Sequence, residues 1–309
     1  MSGLTVAKPG MLTTVQDLGR SGYQGLGVPV AGPMDWYSHR RANQLLGNDR
    51  MAAALEITLI GPELVADGEV GAIVTGAEFE VFMDATPIPH EQPFTMRSGS
   101  RLRFGKRRTG SRSTLAVKGG LAVPPIFGSR ATHLASAMGG VDGRALRVGD
   151  RLPVGEEIAR RAVGRGVRLP LPEGGATLRV VPGAHRDRFA DGAWRALTSG
   201  RFVVTPQSNR MGYRLDGPRL EHRRGADLLS EAMPLGALQV PASGTPILLM
   251  ADRQTTGGYP TIANVIAADL PVAGQLAPGD WIEFAGCSID EAIAALRARE
   301  AALAAAGDE

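Results

Sequence analysis

The sequence predicts a mainly β fold arranged as two domains, and three observations carry that prediction. Short strand-like runs recur along the chain, each bounded by Gly, Pro, Asn or Asp. Helical signals are few. A Gly-Ser or Gly-Asp turn between two strand-like runs appears three times, twice near the ends of the two expected halves. With 309 residues and 43% hydrophobic content, the chain can bury one large core or two medium ones, and ordinary domain size favours two.

In chain order, the predicted strands of the first half are ALEITLI (54–60), VGAIVTG (70–76), FEVFMD (79–84), SRLRFG (100–105) and STLAVKGG (113–120). Those of the second half are TLRVV (177–181), RFVVT (201–205), LQVP (238–241) and PILLMAD (246–252). Such punctuation suits barrels or sandwiches rather than βαβ units. The recurring turns lie in MRSGSRLRFG (96–105), LRVGDRLPVG (146–155) and LAPGDWIEF (276–284). Glycine accepts the positive φ such a turn needs, and the following Ser or Asp can bond the turn backbone. A first helix is predicted over 34–48, with Asp35 as N-cap and Gly47 as its stop. A C-terminal helix follows Ser288, which forms a capping box with Glu291. GEEIARRAVGRGVRLPLPEGG, rich in Gly, Pro and charge, reads as a linker. The domains are therefore placed at 1–155 and 176–309, with 156–175 between them.

Composition excludes several classes of function. The sequence pI is about 9.3, but the formal net charge is only +3 and the two signs are interspersed, so no nucleic-acid partner is expected. The densest basic stretch, RLRFGKRRTGSR (101–112), lacks interleaved aromatics and is expected to be a solvated hairpin and loop. Three lysines, Lys8, Lys106 and Lys118, leave few candidates for lysine chemistry. No apolar run is long enough to cross a bilayer, and MSGLTVAKPG has no signal-peptide pattern, so no membrane partner is expected. The single cysteine, Cys287, cannot form an internal disulfide or a cysteine-based metal site. A cytoplasmic protein is expected. The Walker phosphate-loop pattern, the dinucleotide glycine fingerprint and the G-x-S-x-G elbow are all missing. The histidines, at 39, 90, 133, 185 and 222, have no metal-ligand spacing, so no metal is expected.

Polar residues gather instead in four clusters at the edges of apolar segments. VQDLGRSGYQGLGVPVAGPMD (15–35) uses five glycines and two prolines to order a loop bearing Gln16, Asp17, Arg20, Tyr23 and Asp35. Residues 128–150 carry Ser129, Arg130, Thr132 and Arg144, and QSNRMGYRLDG spans 207–217. The fourth cluster, ADRQTTGGYP, follows the apolar PILLM run and contains Asp252, Gln254, Thr255, Thr256, Gly257, Gly258 and Tyr259. Paired glycines permit close backbone approach, and the neutral side chains supply hydrogen bonds. The alternative is that these are turns whose Arg and Asp residues pair among themselves.

These segments, with ALEITLIGPEL, LAVKGGLAVPPIFGSRATH, GGVDGRALRVGD, SNRMGYRLDG, GALQVPASGTPILLMADRQTTGGYPTIANVIAADL and AGQLAPGDWIEF, resemble a family almost end to end. It is the allophanate hydrolase subunit 2 family, also known as the C subunits of 5-oxoprolinase, whose members are biotin-dependent carboxyltransferase-like. The resemblance implies two cyclophilin-like β-barrel domains with a few helices, including one at the C-terminus. It implies a hetero-oligomer with a subunit 1/B companion and with a third, A-type component, opening 5-oxo-L-proline to L-glutamate. ATP is used through the assembled complex, and the chain is inactive alone. The family leaves two alternatives open: the carboxyltransferase half of a biotin-dependent urea carboxylase/allophanate hydrolase system, or a non-catalytic kinase-inhibitor antagonist. Biotin belongs only to the first alternative. The sequence departs from the family at Asn209, where the family has Asp, and at Ala184 and His185, where it has Pro-Gln.

With that resemblance, Asp252, Thr256 and Arg210 are assigned to catalysis. Asp17, Arg20, Asp35, Tyr213, Gln254, Thr255, Gly257, Gly258 and Tyr259 are assigned to binding a small-molecule substrate. Arg20 or Arg210 can neutralise a carboxylate or phosphate. A buried arginine also needs a carboxylate partner, and Asp17, Asp35 and Asp252 are the candidates.

Overall fold

A computed structural model of the chain describes residues 2–156 and 166–305. The chain divides into two compact units. Unit 1 comprises Met1–Ser21, Ala31–Leu171 and Ala301–Glu309, and unit 2 comprises Gly22–Val30 and Pro172–Glu300. The division is not sequential, because the loop 22–30 groups with the second unit and 301–309 with the first. Of the expected linker, 157–165 lies outside the described residues.

Unit 1 contains β1 (Gly3–Lys8), β2 (Leu12–Gln16), α1 (Trp36–Leu45), β3 (Ala54–Thr58), β4 (Glu63–Ala66), β5 (Val70–Met83), β6 (Thr86–Ile88), β7 (Phe94–Met96), β8 (Arg101–Val117) and β9 (Arg151–Pro153). Among the described residues these strands form one sheet in the order β2-β3-β8-β4-β1-β9, with β5 pairing β6, β7 and β8. The sheet curls because β8 is shared along its length. Its first residues pair with β4 and its later ones with β3. Leu4, Val6, Val15, Leu55, Ile57, Leu64, Val74, Leu102 and Leu115 fill the core, each contributing about 1.5–3 kcal/mol of apolar burial.

The expectation of a hairpin and loop over 101–112 is corrected, since these residues lie inside β8. The reason is the two-residue strand period: Leu102 and Phe104 are buried while Arg101 and Arg103 face water, so one strand carries both core and charge. The runs 70–76 and 79–84 likewise merge into β5, whose ladder with β8 continues through bulges between Gly76 and Val81. Helix α1 begins as expected. The Asp35 carboxylate accepts from Ser38 N at 2.9 Å and from its hydroxyl at 2.5 Å.

Unit 2 contains β10 (Gly175–Pro182), α2 (Asp191–Ser199), β11 (Arg201–Val204), β12 (Gly212–Asp216), β13 (Glu231–Ala232), β14 (Ala237–Gln239), β15 (Ile247–Leu249), β16 (Thr256–Gly257), β17 (Thr261–Val265), α3 (Leu270–Ala273), β18 (Trp281–Gly286) and most of α4 (Ile289–Ala304), whose residues from Ala301 group with unit 1. Among the described residues, seven strands close a barrel in the order β10-β17-β14-β15-β12-β11-β18. The parallel pair β10–β18 completes it. Leu178, Val180, Phe202, Leu238, Leu248, Ile282 and Phe284 are buried, and the Phe202 and Phe284 rings lie 5.6 Å apart. The short ribbon β13–β16 stands outside the barrel sheet. Helix α4 starts with the expected capping box. Ser288 N donates to Glu291 Oε2 at 2.7 Å, and Glu291 N donates to the Ser288 hydroxyl at 3.2 Å.

The fold is thus mainly β, with one closed barrel and one curled sheet. Both units use the same turn. Gly99, Gly149 and Gly279 adopt φ of 82°, 88° and 95°. Their N–H groups donate to Ala66, Val6 and Val204 carbonyls. The next side chain accepts from the backbone three residues back: Ser100 from Arg97, Asp150 from Arg147, Asp280 from Ala277.

Candidate functional site

Strand β15 ends at Leu249, and the chain then leaves the barrel sheet as a strap that returns at Thr261 on β17. Its first anchor is a buried ion pair. Arg210 Nε and Nη2 each donate to Asp252 carboxylate oxygens at 2.9 Å, and Asp252 N donates to the Arg210 carbonyl at 2.9 Å. The side chains are 4% and 3% exposed. Two parallel bonds give direction as well as attraction, so this pair sets where the strap departs.

The strap then pairs with β13. Glu231 faces Gly257 and Ala232 faces Thr256, while Met233 N donates to the Thr255 carbonyl and Leu228 N to the Gly258 carbonyl. Arg253 Nε donates to the Met233 carbonyl at 2.9 Å, and burial pushes its guanidinium below its ordinary pKa. Thr256 is exposed, Tyr259 is 41% exposed, and Gln254 and Thr255 are half-buried.

Beneath the strap lies Gln239, a buried amide on β14 at a point where the register with β17 slips by one residue. Its Nε2 donates to Met233 Sδ at 2.9 Å and to the Tyr259 carbonyl at 3.3 Å. Its Oε1 accepts from Gln254 Nε2 at 3.2 Å. A Cβ on Gly257 would lie 2.7 Å from Gln239 Nε2, so glycine there lets the backbone pass over the amide. At the far end, Thr261 N donates to His185 Nδ1 at 3.2 Å, and His185 Nε2 lies 3.4 Å from Glu231 Oε2.

Of the residues assigned from sequence, the structure brings Arg210, Asp252, Gln254, Thr255, Thr256, Gly257, Gly258 and Tyr259 into this one region. Tyr213, on β12, is buried, with its hydroxyl 3.4 Å from the Leu276 carbonyl. Asp17, Arg20 and Asp35 belong to unit 1. There the first two polar clusters meet: Asp17 accepts from the Ser129 hydroxyl at 2.5 Å, 112 residues away, and from Arg130 N. Arg20 donates to the Ala131 and Ile126 carbonyls. Arg144 grips Asp150 with bonds of 2.7 and 2.9 Å and holds its carboxyl below the usual range. Gln239, His185, Glu231 and Met233 join the region without having been marked as site residues by the sequence. A polar residue inside the otherwise apolar LQVP strand is the one signal available for Gln239.

The strap offers neutral hydrogen-bonding groups and a flat aromatic side chain over a fully buried amide, with Arg210 and Asp252 tied to each other. Among the described residues no group of three or more His, Cys, Asp or Glu could hold a metal ion.

The chain belongs to the family described as carboxyltransferase domain, subdomain A and B, whose model matches residues 26–286. Within it, the chain is 41% identical over 294 residues to the C subunit of 5-oxoprolinase from Escherichia coli K12, an alignment covering 94% of each protein. It is 36% identical over 288 residues to the corresponding 5-oxoprolinase C subunit of Haemophilus influenzae, with 93% of this chain and 92% of that one aligned. The crystal structure of K. lactis urea amidolyase superposes with a TM-score of 0.93 at 31% identity, covering 99% of this chain and 20% of that one. The chain therefore spans about a fifth of the length of that enzyme.

Proposed function

We propose that the chain is the C subunit of an ATP-dependent 5-oxoprolinase, opening 5-oxo-L-proline to L-glutamate in the cytoplasm together with its A and B companions. One observation carries this reading: the alignment with the E. coli protein covers 94% of both chains, so the chain matches a free-standing subunit in extent as well as in sequence.

A five-membered lactam is stabilised by amide resonance, and its oxygen must be activated before water can add. Phosphorylation of that oxygen, addition of water, loss of phosphate and C–N cleavage yield glutamate, ADP and phosphate. The sequence carries no phosphate loop of the Walker type, so ATP is bound through the assembled complex. In this reading Gln254, Thr255 and Thr256 hold the lactam by neutral hydrogen bonds, Tyr259 flanks the ring, and Gly257 and Gly258 let the backbone approach. The Arg210–Asp252 pair anchors the strap and so holds these groups in place. Asp17, Arg20 and Asp35 order the polar segments of unit 1 in which they lie.

The likeness to urea amidolyase supports a second reading, carboxyl transfer from biotin, in which a separate carrier is required because this sequence has no Met-Lys carrier motif of its own. Reconstitution separates the two. The chain mixed with its A and B companions should release ADP and glutamate from 5-oxoproline, and omission of any one of the three should abolish release. Activity only with a biotinylated carrier, or full ATP hydrolysis by the chain alone, overturns the first reading.

A further inference from the structure

We propose that Gln254 is a specificity-determining residue that accepts a hydrogen bond from the ring N–H of the substrate, and that Gln239 is the positioning residue that forces it into this role. The proposal rests on the 5-oxoprolinase reading and deepens it.

The argument is one of donors and acceptors. A carboxamide can present either its oxygen or its NH₂, and only the surrounding network decides which. Gln239 is 1% exposed, and two of its neighbours, the Tyr259 carbonyl at 3.3 Å and Met233 Sδ at 2.9 Å, have no hydrogen to give. Its NH₂ must face them. Reversing it would set oxygen against oxygen and sulfur inside a buried site, where an unsatisfied polar group is most costly. Gln239 Oε1 is therefore fixed as an acceptor, and Gln254, 3.2 Å away, must offer its own NH₂. That choice leaves Gln254 Oε1 as the outer end of the relay, with no protein partner among the described residues.

An outward carbonyl oxygen selects ligands that bring an N–H and rejects those that bring another acceptor. The ring N–H of a lactam satisfies it. The bond also shifts electron density toward the lactam oxygen, the atom to be activated, because hydrogen bonds in series polarise one another. The isosteric lactone, with ring oxygen in place of N–H, meets Oε1 with a lone pair.

The test compares 5-oxoproline with this lactone in the assembled complex, read as ADP release. The wild type should prefer the lactam by at least about tenfold in kcat/KM, the effect of an acceptor satisfied by the bound ring against one left facing a lone pair. Gln254→Leu should lose about tenfold on the lactam and lower the lactam-to-lactone ratio about tenfold. Gln239→Leu frees the Gln254 amide to turn, so the ratio should fall in the same direction while the complex still assembles on a sizing column. Loss of stability alone does not change this ratio. An unchanged ratio in both variants, or equal use of both compounds by the wild type, overturns the proposal. If the wild-type complex releases no ADP with 5-oxoproline, the functional reading fails and the proposal is judged by ligand-observed NMR with the same two compounds. Selective lactam binding keeps it, whereas equal binding or none overturns it.

Discussion

Arg210 and Asp252 are 42 residues apart in sequence and form a bidentate ion pair buried almost completely in unit 2. Removing one member leaves the other charged, desolvated and unpaired. Arg210→Ala should therefore destabilise the chain by about 3–5 kcal/mol, whereas the double substitution Arg210→Met/Asp252→Leu should recover much of that loss. Denaturant titration of the single and double variants measures both, and additive losses count against the pair. His39 makes a second prediction. It is buried in α1, and desolvation lowers its pKa from 6.5 to about 4, against a smaller upward pull from Asp17. Between these values the unfolded chain binds more protons than the folded one. Stability contributed by the neutral ring is thus complete above pH 6.5 and lost as pH falls toward 4, by up to about 3 kcal/mol at about 1.4 kcal/mol per pKa unit. A His39→Gln variant should show a flatter stability profile over that window, and an unchanged slope rejects the assignment.

The turn shared by 97–100, 147–150 and 277–280 stops one strand and starts the next with a single device. Each glycine sits at positive φ, where an L side chain is strained, and each donates its N–H to a neighbouring strand. A Cβ on Gly149 meets nothing within 4 Å, so Gly149→Ala reports the conformational cost without a clash. It should remove about 1 kcal/mol and lower Tm by a few degrees, as read by calorimetry. No change in Tm would show that the turn relaxes freely. The strap differs in kind. Its two-residue strands β13 and β16 give few ladder bonds, so Arg210–Asp252, Gln239 and His185 supply the anchoring that backbone pairing gives elsewhere.

Taken whole, the chain has a barrel and a curled sheet, each with its own core, and it aligns along nearly its full length with proteins named as parts of a larger enzyme. Among the described residues no helix is long and apolar enough to cross a membrane. Several large apolar side chains remain exposed, including Leu229 at 94% and Leu26 at 79% in unit 2 and Ile60 at 62% in unit 1. Burial of such surface in an assembly removes it from water. On the proposed 5-oxoprolinase reading, co-expression with a 1/B companion should give a single complex on size exclusion, and separate elution of the two chains would argue against the partnership.

Local patterns foretold much of this. Strand punctuation marked the β class, Asp35 and the Ser288–Glu291 box marked helix starts, and Gly-Ser and Gly-Asp marked the turns, because each depends on residues within four positions of one another. The polar ADRQTTGGYP stretch stood out for the same reason. Other features were hidden in the sequence. The charged run 101–112 became a strand because β4, β5 and β3 pair with it. Arg210 was one of two possible partners for Asp252, with Arg20 the other, until the barrel set β12 beside the end of β15. Gln239 looked like one polar letter in an apolar strand. Its meaning came from Met233, Tyr259 and Gln254 closing around it, and the direction of a buried amide is decided only by the neighbours that folding provides.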